Sequence, residues 1–269
     1  MAERVRPKSM NNRSQLNVPD AASVPVLNWR TATGLDYASF SVRGEEAGGD
    51  YIDFVPMANG EFALMLGETD AKGQAADWTS ACLKGAVRGF VARGEVNPMR
   101  LVNDLNRIIY DLCSIEQVVS FLYAHYSART GVLTYVNAGH EAALLLQDGR
   151  RGTSLLDLSG PVLGLKATSA YSEGAVKLRS GDRLIAFTTG LIDALACEPE
   201  GSAEEELLDI AREYEEADSR DLAGAILHRI AQAQLSDTVR DRSLVVVSRS
   251  GALRCAKRNP ARRELAFAN

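Results

Sequence analysis

The chain is poor in the features that staple or anchor a protein. Its four cysteines, Cys82, Cys113, Cys197 and Cys255, are scattered over 269 residues with no CxxC pair among them. That spacing excludes a zinc ribbon, a thioredoxin-type motif and a disulfide scaffold, and it reads as reduced thiols in a cytosolic protein. No apolar run approaches the roughly 20 residues that cross a bilayer; short stretches such as Ala142 to Leu146 and Leu244 to Val247 are the longest. An integral membrane protein is therefore excluded, and no membrane partner is expected. Residues 1–20 carry Arg4, Arg6, Lys8 and Arg13 among polar neighbours, without an apolar segment or a small-residue cleavage pattern behind them. Secretion is not expected. Internal repeats and long low-complexity stretches are also missing, which removes solenoids and propellers.

What remains is an ordinary globular composition, 46% hydrophobic and 24% charged, in a length that allows one large domain or two small ones. One compact core is the simpler reading. The net charge of −5 is unevenly spread: residues 1–20 and 251–269 are both net basic, so the body between them is more acidic than the whole. An acidic body repels nucleic acid, and a tail such as Arg254 to Arg263 would touch a phosphate backbone only weakly. No nucleic-acid partner is expected. The division that follows is an N-terminal arm at 1–30, one domain at 31–250 and a basic C-terminal tail at 251–269. The short arm leaves no space for a sensory domain, so regulation is expected to come through partners in trans.

Strand signals cluster in two blocks. Tyr37 to Arg43, Tyr51 to Pro56 and Glu61 to Leu66 form the first, with Ala58-Asn59-Gly60 supplying hairpin-turn chemistry between the last two. Val118 to Tyr126, Val132 to Asn137, Ala142 to Leu146 and Leu155 to Leu158 form the second, which reads as an antiparallel meander. Helices are expected at Ala75 to Ala92 and at Met99 to Cys113. Asn97-Pro98 marks the start of the second, and Leu101, Leu105, Ile108, Ile109 and Leu112 form one buried stripe along it. A further strand pair, Ala175 to Leu178 and Arg183 to Thr188, turns at Ser180-Gly181-Asp182. Helices then return at Glu204 to Glu215 and Asp221 to Gln234, before a closing strand at Ser243 to Ser248. This segregation predicts an α+β sandwich of antiparallel sheets flanked by helices, and argues against a βαβ Rossmann fold.

A three-residue loop centred on Asn59 places Asp50 opposite Glu68 at the open end of the first hairpin. Directly opposed residues have Cβ atoms about 5 Å apart, and at an effective dielectric near 20 two unit charges at that range repel by roughly 3 kcal/mol. A divalent cation, a protonated acid or an arginine between them would each offset this repulsion. The alternative is that the strands splay first and both acids point into water.

Several segments around these acids fall into a family order. Gly48-Gly49-Asp50-Tyr51-Ile52-Asp53-Phe54, followed by Leu66-Gly67-Glu68-Thr69-Asp70-Ala71-Lys72-Gly73 and a helix, resembles the opening of the SpoIIE-type branch of the metal-dependent (PPM) serine/threonine phosphatases. Asn137-Ala138-Gly139-His140 is similar to that family's NAGH turn. Ser180-Gly181-Asp182-Arg183-Leu184 leading to Thr188-Thr189-Gly190-Leu191 is similar to its GDR…TDG block. Arg240-Asp241-Arg242-Ser243 stands where the family has a DD or DN pair followed by Thr. The resemblance runs from about Gly34 to Ser248. It implies a PPM-type sandwich of two antiparallel sheets flanked by helices, and a serine/threonine phosphatase with two Mn²⁺ or Mg²⁺ ions held by aspartates and a backbone carbonyl. A metal-bridging hydroxide would attack the phosphorus of a phosphoserine, the ions lowering the water's pKa and neutralising the phosphoryl group. Carried over by position, the metal ligands would be Asp50, Glu68 in place of Asp, the Thr69 carbonyl, Thr189 in place of Asp and Arg240 in place of Asp.

These departures change the charge. Four aspartates would bring four negative charges, whereas Asp50 and Glu68 bring one each, Thr189 none and Arg240 a positive one, leaving −1. Glu68 is still able to bind a cation and Thr189 offers a neutral hydroxyl, but a guanidinium donates without accepting and stays cationic. Arg240 is therefore expected to lie against Asp50 and Glu68, replacing an inorganic ion. Asp70 and Asp241 lie within two residues of substituted positions and are possible rescuers, so the candidate catalytic set is Asp50, Glu68 and Asp241. Mn or Mg is expected if the protein is active, and no cofactor otherwise.

The remaining notable residues have plainer readings. His140 is read as fixing its turn rather than as a general acid, and His125 as structural. Lys72 opens a helix and is either solvated or in contact with a phosphoprotein. The Glu-rich 204–216 stretch reads as an exposed face over Leu207, Leu208 and Ala211. The function expected is that of a cytoplasmic SpoIIE-like regulatory protein, catalytically impaired or a pseudophosphatase. By resemblance its partner is a phosphorylatable antagonist protein or a kinase-like anti-sigma factor in bacterial partner switching. The alternative is an active Mn/Mg-dependent phosphoserine phosphatase acting on such a phosphorylated antagonist. Oligomeric state is not legible.

Overall fold

A computed structural model describes residues 27–30, 35–44, 49–57, 60–94, 96–112, 117–141, 143–147, 152–195, 202–232 and 240–249. Two antiparallel sheets carry the fold. The first has six strands in the order β1-β2-β11-β10-β7-β8, and the second has five in the order β3-β4-β5-β6-β9. The strands are β1 (Leu27–Arg30), β2 (Leu35–Val42), β3 (Tyr51–Pro56), β4 (Phe62–Thr69), β5 (Val119–Ser127), β6 (Val132–Ala138), β7 (Leu144–Gln147), β8 (Gly152–Leu155), β9 (Gly174–Lys177), β10 (Arg183–Phe187) and β11 (Arg242–Arg249). The helices are α1 (Gln74–Ala92), α2 (Pro98–Leu112), α3 (Thr189–Leu195), α4 (Ala203–Glu213) and α5 (Ser219–Gln232).

Period-two alternation explains the layering. Leu64, Leu66, Leu122 and Tyr126 of the five-stranded sheet meet Tyr37, Leu184, Val245 and Val247 of the six-stranded sheet in one buried layer. The opposite faces need helices. Met65, Phe121 and Tyr123 pack beneath Leu83 and Val87 of α1 and Leu101, Leu105 and Ile109 of α2. Phe40, Ile185 and Val246 pack beneath α3, α4 and α5 through Leu191, Leu207 and Ile226. The expected stripe on α2 is buried at Leu101, Leu105 and Ile109, while Leu112 at its end is exposed. α4 begins with a reciprocal capping box between Ser202 and Glu205. The α+β sandwich expected from the sequence is the observed fold.

Several local expectations differ from the structure. β1 pairs with β2, Leu27 opposite Ser39, so the last four residues of the expected arm join a sheet. The expected meander divides between the two sheets: β5 and β6 pair in one, β7 and β8 in the other. The pair expected to turn at Ser180-Gly181-Asp182 divides likewise, β9 joining β6 and β10 joining β7 and β11. In both cases the local turn redirects the chain, and burial of each strand's apolar face selects its partner. The strand expected at Leu155 to Leu158 lies at Gly152–Leu155. α3 has only seven residues and opens on Thr189-Gly190, too short for a periodic signal. Cys113, Cys197, Cys255 and both basic tails lie outside the described residues.

Candidate functional site

The β3–β4 hairpin has the expected register. Tyr51 faces Gly67 and Ile52 faces Leu66, so the next positions outward are Asp50 and Glu68. The hairpin meets two segments beside the other sheet: Thr188 after β10 with Thr189 at the start of α3, and Arg240-Asp241 ahead of β11. Close backbone packing holds these segments together. A Cβ at Gly49 would stand 2.7 Å from the Thr69 carbonyl oxygen, and one at Gly190 would stand 2.1 Å from that of Asp241. Only glycine fits at either place.

The acids are engaged by donors of the protein itself. Thr188 Oγ1 donates to Asp50 Oδ2 over 2.8 Å, and the Ser243 hydroxyl also favours the ionised form of Asp50, although its own bond runs to Ser41 Oγ at 2.9 Å. The Thr189 backbone N–H donates to Glu68 Oε2 over 3.1 Å. Asp241 is buried, and its two oxygens accept from the backbone N–H groups of Gly44 (2.8 Å) and Asp50 (3.3 Å). The Thr189 hydroxyl leans toward Glu141 Oε1 at 3.5 Å. Thr69 turns its own hydroxyl onto the Val118 carbonyl at 3.1 Å.

Burial pushes the Asp50 carboxyl up to about 7, and the neighbouring charges of Glu68 and Asp241 push it the same way against the Thr188 and Ser243 hydroxyls. Burial also raises Glu68, opposed by the Thr189 hydrogen bonds and the field of Arg240. The two acids come together at the open end of the hairpin, and burial together with the field of Glu68 disfavours the ionised form of Asp50.

Arg240 departs from expectation. Its guanidinium stands 3.7 Å from Asp193 Oδ2, with more than half of each side chain exposed, and makes no ion pair with Asp50 or Glu68. Its charge reaches Glu68 only as a field. The physical reason is solvation: an exposed carboxylate on α3 receives the guanidinium without the cost of burying it. Asp70 is exposed, and Asp241 is committed to two backbone groups, so neither is positioned as a substitute ligand. Among the described residues no group of three or more His, Cys, Asp or Glu side chains is arranged to hold a metal ion. The donor set does not fit a two-ion centre, because its acids are already bonded within the protein and two of the positions present a hydroxyl and a guanidinium.

Thr188, which holds Asp50, was not among the expected site residues; its place beside Thr189 was the available signal. Glu141 carried no signal in the sequence. His140 is structural, as expected: it is fully buried, with Nδ1–H donating to the Glu141 carbonyl at 3.1 Å and its backbone N–H donating to Asn137 Oδ1 at 2.9 Å. Arg183 of the Gly-Asp-Arg block caps the chain after α4, donating to the carbonyls of Tyr214 (2.6 Å), Glu215 and Ala217 (both 2.5 Å).

Residues 58–250, well over half of the chain, match the family described as Stage II sporulation protein E (SpoIIE). The chain belongs to the SpoIIE family. A relative, the phosphoserine phosphatase RsbU of Bacillus subtilis, is 24% identical over 159 residues, which cover 59% of this chain and 47% of that protein. The chain thus spans under half the length of that relative. Among solved structures, the RsbU and RsbW domains of a Mycobacterium tuberculosis protein superpose with a TM-score of 0.68 at 21% identity, covering 86% of this chain and 62% of that one. The SiaA-PP2C domain of Pseudomonas aeruginosa superposes with a TM-score of 0.66 at 15% identity, covering 79% and 86%. This SpoIIE-family chain therefore has the PPM phosphatase fold, with a metal site that has lost the family's donor pattern. No described helix is long and apolar enough to cross a membrane.

Proposed function

We propose that this chain is a regulatory member of the SpoIIE family that is catalytically impaired or a pseudophosphatase, and that it binds a phosphorylatable signalling partner, an antagonist protein or an anti-sigma-factor kinase, in bacterial partner switching. The observation that carries this reading is the self-satisfied acid cluster. Asp50, Glu68 and Asp241 each accept from protein donors, while Thr189 and Arg240 occupy the other ligand positions. Such a site preserves the fold's binding surface without the concentrated negative charge that hard cations need.

A second reading has one observation in its favour. Asp50 and Glu68 still face each other, and both are held above their ordinary pKa, the condition that a single cation would relieve. On that reading the protein is a phosphoserine phosphatase of reduced Mn²⁺ or Mg²⁺ affinity, with Asp50, Glu68 and the Thr69 carbonyl as ligands and Asp241 in support. Phosphatase assays of the full chain across a Mn²⁺ titration separate the two. Silence at millimolar metal is expected; chelator-sensitive turnover that disappears in Asp50→Ala would establish the enzyme.

A further inference from the structure

Strand β8 ends the six-stranded sheet, and among the described residues no strand lies on its other side. Its pairing with β7 shows which groups face that side. Ser154 is opposite Leu145, and just past the ladder the Leu156 N–H donates to the Ala143 carbonyl at 2.9 Å. Bonding residues alternate along an antiparallel pair, so Gly152, Ser154 and Leu156 turn their backbone groups to β7 while Thr153 and Leu155 turn theirs outward.

Other edges of the fold are blunted. At β3 the Asp53 carboxylate takes the Phe54 N–H at 2.9 Å, and Pro56 has no N–H to offer. At β9 the exposed Lys177 places a charge on the edge. Proline and charge are ordinary defences of an unpaired strand. β8 has neither: Gly152-Thr153-Ser154-Leu155 is uncharged and exposed throughout, and Leu155 and Leu158 present 51% and 69% of their surface to solvent.

We propose that β8 pairs antiparallel with β8 of a second copy of this chain, about a two-fold axis at Ser154. Thr153 then faces the second copy's Leu155, so the outward N–H and C=O groups of both residues find each other. One step further Gly152 faces Leu156, and beyond it Arg151 faces the exposed Asp157. Symmetry repeats that match of opposite charges at the other end of the pair, and no like charges are opposed. Moving the axis by one residue destroys the match. At Thr153 it would set Arg151 against Leu155 and Asp157 against Gly149; at Leu155 it would set Arg151 against Ser159 and Asp157 against Thr153. A foreign strand would have to bring these charges, whereas a second copy already carries them. Strands this short bury little surface, so the dimer is weak and depends on concentration. The pairing goes beyond the regulatory reading above, since β8 contributes no residue to the acid cluster.

Sedimentation velocity of the full chain, from roughly 1 μM to 1 mM, tests it. A monomer–dimer equilibrium is expected, with amide exchange at Thr153 and Leu155 slowing as the dimer fills. Ser154→Lys sets two ammonium groups against each other at the axis and should weaken association at least tenfold. Thr153→Pro removes an outward donor without touching a β7 bond and should do the same; thermal melting verifies that both variants fold. Arg151→Asp and Asp157→Arg should each weaken the dimer, and the two together should restore it. A monomer at every concentration would overturn the proposal, as would a dimer undiminished in folded Ser154→Lys and Thr153→Pro or a charge exchange that fails to restore association.

Discussion

Thr188 Oγ1 donates to Asp50 Oδ2 over 2.8 Å and accepts from the Ser243 backbone N–H over 3.0 Å. One fully buried hydroxyl therefore ties the start of the β3–β4 hairpin to β11 of the other sheet, and does so by holding an acid that burial pushes up to about 7.

That raised pKa fixes a sign. The folded chain retains a proton on Asp50 that the unfolded chain releases near pH 4, so the stabilising contribution is complete below that pH and is lost as pH rises through about 7. Asp50→Asn keeps an oxygen for Thr188 and removes the titration. The variant is expected to be more stable than the parent by about 1–2 kcal/mol at pH 8, with a smaller margin at pH 5. Urea unfolding at the two pH values measures both; a margin that shrinks with rising pH would contradict the assignment.

Restoring the missing acids should restore a metal site. Arg240 already sits at the surface against Asp193, and the Thr189 N–H is what occupies Glu68 Oε2. The triple change Glu68→Asp, Thr189→Asp and Arg240→Asp shifts the local charge by three units toward the negative: −1 at Thr189 and −2 at Arg240, none at Glu68. Calorimetry with Mn²⁺ is expected to show stoichiometric binding at least tenfold tighter than that of the parent. A folded triple variant that still ignores Mn²⁺ would place the lesion elsewhere.

The α1–β3 contact makes a third case. Arg88 binds the buried Asp53 through two bonds of 2.6 Å, with Tyr51 Oη donating to the same carboxylate at 3.2 Å. Removing the guanidinium leaves a buried charge with one side-chain donor. Arg88→Ala is expected to cost about 1–2 kcal/mol, while Arg88→Ala with Asp53→Asn recovers most of it. Amide exchange along β3 and α1 should quicken in the single variant; equal stability of single and double variants would show that the pair carries no coupling.

Much of this was legible in the sequence, and the misses share a cause. The Asp50/Glu68 register followed from Ala58-Asn59-Gly60, because a short loop fixes pairing arithmetically. Positions of Thr189 and Arg240 followed from motif order. The direction of the Arg240 side chain did not, since it depends on Asp193, an acid on a seven-residue helix that pattern reasoning overlooked. The division of β5 to β8 between two sheets was hidden for a related reason: a strand's sequence records which faces are buried, whereas its partner is chosen by distant strands.

His140 supplies a pH effect of the opposite slope to that of Asp50. Its Nδ1 faces the Glu141 carbonyl at 3.1 Å, which can only accept, so the proton is on Nδ1 and the lone pair on Nε2. Nε2 is buried with no partner, and a proton added there would place an unpaired charge in the interior. Burial accordingly pushes the imidazole down to about 4 from an ordinary 6.5. The folded chain resists a proton that the unfolded chain accepts, so the contribution is intact above about pH 6.5 and is lost as pH falls toward 4. Between pH 7 and pH 5 the loss is about 2 kcal/mol. His140→Gln retains a side-chain donor for the Glu141 carbonyl without the titration, and its unfolding free energy is expected to fall less than the parent's over that interval. A matching fall in both proteins would mean that the proton finds a partner at Nε2 after all, and that the Asn137-Ala138-Gly139-His140 turn opens to admit one.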